Sequence, residues 1–76
     1  MKVQILGTGC PKCRKLEENA VAAVNELGRN FELEKISDIN EIMKFGVMMT
    51  PGLAIDGDVK STGKVLSVEE IKKLVE

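Results

Sequence analysis

The sequence predicts one α/β domain over residues 1–76, with the element order β-α-β-α-β-β-α, a four-stranded mixed sheet and three helices. Three observations carry this prediction. A long amphipathic helical segment follows a short alternating strand. Two capping signatures, Asp38 with Glu41 and Ser67 with Glu70, open two later helices. Asp56-Gly57 lies between two strand-like runs and is a preferred pair for a tight hairpin.

In chain order, Lys2 to Leu6 alternates polar and apolar residues and reads as the first strand. Gly7-Thr8-Gly9 is a loop, and Pro11 suits the first helical turn, where its missing N–H is not needed. From Pro11 to Leu27, Leu16, Ala20, Ala23, Val24 and Leu27 recur at helical spacing, with Arg14, Lys15, Glu17, Glu18, Asn25 and Glu26 filling the other side. Gly28 suits a left-handed helix end. Phe31 to Ile36 reads as a strand exposed on one face, and parallel pairing with the first strand follows from the crossover between them. A short helix begins after Asp38, carries Ile39, Ile42, Met43 and Phe45, and stops at Gly46. Leu53-Ala54-Ile55 and Val59 to Thr62 form the hairpin strands. Leu66 and Ile71 are placed as a hydrophobic staple around the second capping box, and the last helix presents Ile71, Leu74 and Val75 to the core. Met48 and Met49 read first as core packing, and second as a soft contact surface for partners. Gln4 reads as structural.

Composition narrows the function classes. The 76 residues carry 11 basic and 12 acidic side chains, a net charge of −1, and two Phe as the only aromatics. Neither nucleic acid nor an anionic membrane is indicated as a partner. Nothing approaches the ~20 apolar residues of a membrane span, and Lys2 to Leu6 is too short for a secretory apolar core. A cytoplasmic location and a monomeric state are expected. In that reducing compartment, two cysteines three residues apart are poorly explained as a permanent staple.

Cys10-Pro11-Lys12-Cys13 stands where loop becomes helix. Unpaired N–H groups and the positive end of the helix dipole favour thiolate there. Cysteines at such sites reach pKa values of roughly 3.5–7.5, against about 8.5 when free. Lys12 adds positive charge, with Arg14 and Lys15 close behind. Cys10 is therefore the expected nucleophile. Cys13 returns beneath it after one turn and extends the apolar stripe, so it is the expected buried, resolving thiol. Thr50-Pro51 precedes a strand. From the dipeptide alone the bond could be trans or cis. If cis, Thr50 would offer its backbone N–H and C=O to an extended substrate.

These residues resemble the thioredoxin/glutaredoxin superfamily, and most closely its small prokaryotic redox-active disulfide proteins. The resemblance rests on Gly7-Thr8-Gly9-Cys10-Pro11-Lys12-Cys13 after a strand, on Val47 through Gly57 around Thr50-Pro51, and on Gly63 before the last helix. It implies a thioredoxin-like fold and a cis Pro51 packed against the cysteine pair. It also implies dithiol–disulfide exchange with client proteins, an external reductase, and no cofactor beyond the Cys10–Cys13 disulfide. The motif departs from the CGPC of thioredoxins, and Lys12 stands where glutaredoxins commonly have Tyr. Ser61-Thr62-Gly63-Lys64 lacks the pattern that holds glutathione, and the first strand offers Gln4 where thioredoxins place a buried acid.

The alternative is a small Cu(I) carrier, since two thiolates suit a soft ion. Against it stand Thr8, where such carriers commonly have Met, and an element order that ends in a capped helix. No zinc site is expected, because the chain has two Cys and no His.

Overall fold

The computed structural model describes residues 1–9 and 11–75; Cys10 and Glu76 lie outside the described residues. The elements are β1 (Lys2–Leu6), α1 (Pro11–Glu26), β2 (Glu32–Ile36), α2 (Ile39–Lys44), β3 (Gly52–Ile55), β4 (Asp58–Thr62) and α3 (Val68–Val75). The sheet order is β2-β1-β3-β4. β1 pairs parallel with β2 and antiparallel with β3, and β3 pairs antiparallel with β4. This is the predicted thioredoxin-like arrangement.

Alternation along the central strand divides the core. Val3 and Ile5 of β1 pack on one face with Leu16, Ala20, Ala23 and Val24 of α1, Leu53 and Ile55 of β3, and Ile71 and Val75 of α3. Leu6 and Ala54 pack on the other face with Ile42 of α2 and Val47. Two helices therefore cover one side of the sheet and the short α2 covers the other. Both central strands lie under helices, and the edge strands β2 and β4 carry the exposed charges.

Local hydrogen bonds fix the ends of the helices. At the end of α1, Gly28 N donates to Asn25 O at 3.1 Å and Arg29 N to Val24 O at 3.4 Å. After α2, Gly46 N donates to Met43 O at 2.9 Å and Val47 N to Ile42 O at 3.3 Å. Each pair is a Schellman closure, and each places a glycine at positive φ, +68° for Gly28 and +81° for Gly46. The second closure also seats Val47 on Ile42 in the smaller core. This fixes where the chain leaves α2 and heads for Thr50.

The capping box at α3 is reciprocal: Ser67 N donates to Glu70 Oε1 at 3.1 Å and Glu70 N to Ser67 Oγ at 3.2 Å. Hydrogen bonding of the Glu70 carboxyl by the Ser67 main chain, and then by its side chain, aided by Lys64 and Lys73, holds that carboxyl below its ordinary range. Asn19 Nδ2 of α1 donates to Leu66 O at 2.8 Å and ties the lead into α3 to α1. The cap at α2 is one-sided. Asp38 Oδ1 accepts from Asn40 N and Glu41 N, while the Glu41 carboxylate turns to Lys44 Nζ at 3.3 Å. In the hairpin, Asp56 and Gly57 both take positive φ, +52° and +83°, as a type I′ turn requires. Gln4 locks this turn to the opposite edge: its Oε1 accepts from Gly57 N at 2.7 Å and its Nε2 donates to Glu34 at 2.8 Å. Its structural assignment holds. Leu74 departs from expectation. It is half-exposed, because α3 is short and its packed stripe is filled by Ile71 and Val75.

Candidate active site

The site lies at the end of β1 where the chain enters α1. The parallel pairing of β1 with β2 ends with Gly7 N donating to Ile36 O at 2.9 Å, which anchors the start of the Gly7-Thr8-Gly9 loop. Cys13 occupies the first turn of α1 and is 5% exposed. Its sulfur lies directly against Gly7. A Cβ at Gly7 would collide with Cys13 Sγ, would sit 3.2 Å from Cys13 Cβ, and would lie 3.9 Å from Pro51 Cα. Gly7 is thus the floor that lets the sulfur approach the end of β1, with Pro51 on the adjoining side.

The Thr50–Pro51 bond is cis, and Pro51 is fully buried. Pro51 O accepts from Gly63 N at 2.8 Å, which holds the turn after β4 against this loop. Thr50 is exposed, and its main-chain N–H and C=O have no hydrogen-bond partner among the described residues. Lys12 is exposed on the first turn of α1. The expected nucleophile, Cys10, lies outside the described residues, and so does its position relative to Lys12 and Cys13. What the structure brings together is Cys13, Gly7 and the Thr50-Pro51 loop.

Two features around this centre differ from what the sequence pattern implies. Met48 and Met49 do not pack into a core. Met48 is 87% exposed and Met49 is largely exposed, with the Met49 side chain lying over Gly63. Between α2 and Pro51, Val47 is buried in the smaller core and Phe45 packs partly against it, while the two residues after Val47 face out. With Ile39 and Met43, Met48 borders an apolar hollow of about 310 Å³ that also includes Ile42, Val47, Thr8 and Thr50. On the other side of Thr8, a cleft of about 280 Å³ reaches Cys13 and is walled by Arg14, Glu17 and Lys35. The sequence pattern puts Glu17 on the outer, polar side of α1. Its position one turn beyond Cys13 brings it to this cleft, where Lys35 Nζ of β2 meets its Oε1 at 3.2 Å.

Comparison of the sequence with known proteins adds the family to this geometry. The family model described as the thioredoxin domain matches residues 1–76. The chain belongs to the thioredoxin family. A thioredoxin of Methanothermobacter thermautotrophicus is 52% identical over 75 residues, covering 99% of this chain and 97% of that protein. A thioredoxin of Methanocaldococcus jannaschii is 49% identical over 71 residues, covering 93% of this chain and 81% of that protein. Family membership makes the chain a thiol–disulfide oxidoreductase. None of its described helices is long and apolar enough to cross a membrane, and no group of three or more His, Cys, Asp or Glu that could hold a metal gathers among the described residues.

Proposed function

We propose that the chain exchanges its Cys10/Cys13 dithiol with disulfides of client proteins in the cytoplasm, and that an external reductase returns the electrons. The observation that carries this reading is the seating of the Cys13 sulfur on Gly7 beside cis Pro51. Such a buried thiol is protected from adventitious oxidants and is reached from the end of the sheet. Cys10, at the helix start, attacks a client sulfur as thiolate, its negative charge favoured by the helix dipole and by Lys12. The resulting mixed disulfide is resolved when Cys13 attacks Cys10, and the client leaves reduced. Thr50 offers main-chain hydrogen bonds to the extended client segment, and Pro51 forms the wall against which that segment lies. The apolar rim of Ile39, Met43 and Met48 is continuous with Thr8 and Thr50, and receives the apolar side chains that flank the client disulfide. No organic cofactor enters, since the two thiols hold the electrons.

Trapping in cell extract tests the division of labour. Cys13→Ser should accumulate mixed disulfides through Cys10, released by dithiothreitol, whereas Cys10→Ser should accumulate none. Equal trapping by both variants would overturn the assignment of roles.

A further inference from the structure

We infer that Met43, Met48 and Met49 form a site of modification by hydrogen peroxide. Conversion of their thioethers to sulfoxides makes the client-facing rim polar and weakens client capture, while the Cys10/Cys13 couple stays intact. The inference rests on the function proposed above and adds a modification site to it.

Among the described residues, the four most exposed large apolar side chains are Met48 at 87%, Met49 at 66%, Ile39 at 63% and Met43 at 59%. All four gather around one loop. Ile39, Met43 and Met48 border the hollow that also includes Thr8 and Thr50. Met49 lies over Gly63, whose N–H donates to Pro51 O at 2.8 Å. None of the three methionines belongs to either core cluster. Met1, the remaining methionine of the chain, is half-buried and packs against the main core. One methionine is thus packed, and three stand open to solvent beside the cis proline.

Openness is what this chemistry needs. A thioether sulfur attacks a peroxide oxygen with its own lone pair, so no proton has to leave it first. The step balances. The sulfur gains an S–O bond, the O–O bond of hydrogen peroxide breaks, and the departing oxygen carries both hydrogens away as water. The sulfur loses two electrons and the peroxide gains them. The product is polar and chiral where the thioether was apolar and flexible. Apolar client side chains then meet a rim that would have to surrender its hydration to hold them. Peroxide that oxidises the dithiol leaves the Cys10–Cys13 disulfide and water, and the external reductase reopens that bond. The sulfoxides are restored only by a methionine sulfoxide reductase. The rim therefore keeps a record of oxidant that the dithiol loses.

The protein is treated with hydrogen peroxide as its Cys10–Cys13 disulfide, desalted, and briefly reduced with dithiothreitol to restore the dithiol. Peptide mass mapping should find Met48 and Met49 oxidised about fivefold or more faster than Met1. Two disulfides then read the consequence. With a peptide disulfide flanked by Leu and Phe, kcat/KM should fall about tenfold, the worth of an apolar side-chain contact. With bis(2-hydroxyethyl) disulfide, which has no side chains to place on the rim, the rate should stay within about twofold. The triple variant Met43→Leu, Met48→Leu, Met49→Leu should give one rate with the peptide before and after peroxide, whatever that rate is. An unchanged peptide rate in native protein oxidised at Met48 and Met49 would overturn the inference alone. An equal fall with both disulfides, or an equal fall in the triple variant, would do the same. Untreated protein that reduces neither disulfide would overturn it together with the proposed function.

Discussion

Gly7→Ala should cost the protein most of its exchange activity, lowering the rate of client reduction about 100-fold. The backbone at Gly7 is not in the left-handed region, so the effect is steric. The new methyl would occupy the space of Cys13 Sγ. Either the cysteine rotates away or α1 shifts off the end of β1. Both responses move the resolving sulfur of Cys13, and a displacement near 1 Å is enough for a loss of that size. Overfilling this junction should also destabilise the fold by about 1–3 kcal/mol. The cause can be isolated with a double-mutant cycle. In a Cys13→Ala background the sulfur is gone and only the 3.2 Å contact to Cys13 Cβ remains tight. The stability cost of Gly7→Ala should then fall by at least half, measured by urea denaturation. The same cost in both backgrounds would show that the sulfur does not lie where it is described.

Leu16→Ala should be the most damaging single truncation for stability. Leu16 is fully buried at the centre of the α1 stripe, between Cys13 and Ala20, and packs into the core formed with β1, β3 and α3. Leu-to-Ala changes at such sites cost about 2–5 kcal/mol. A chain of 76 residues has roughly 4–11 kcal/mol in total, so about half of its stability is at stake. A small domain has few alternative contacts to draw on, because so much of its surface stays exposed. The urea midpoint should fall sharply with little change in the slope of the transition. A midpoint shift worth less than about 1 kcal/mol would contradict the described packing of α1 on the sheet.

Much of this fold is legible in the sequence because its determinants are local. The Ser67 and Glu70 capping box, the Asp56-Gly57 turn and the Gly28 helix end each depend on residues within one turn of each other. Each is found as the pattern predicts. The same pattern at Asp38 and Glu41 overpredicts, because Lys44 stands one turn further on and draws the glutamate away. Apolarity misleads at Met48 and Met49, since a hydrophobic pair before Pro51 gives no sign that Val47, with Phe45 packed beside it, already closes the small core beneath α2. Glu17 and Lys35 are illegible for a different reason. Each looks like an ordinary surface charge, and only the pairing register of β1 with β2, together with the seating of α1, brings them to one cleft. The Cys13 surroundings are half legible. Helical spacing buries the residue, but the need for Gly7 beneath its sulfur depends on how closely α1 approaches the end of β1.

The proposed function requires that Cys10 and Cys13 form one reversible two-electron couple. It is tested most directly by equilibrating the native protein in buffers of reduced and oxidised dithiothreitol, quenching with acid, and recording the intact mass. A single transition is predicted, with the loss of two hydrogens and a bridge between Cys10 and Cys13 within one chain, its midpoint moving about 30 mV for each tenfold change in the equilibrium constant. A mass that stays constant across the whole range, or a bridge that forms only between two chains, would contradict it.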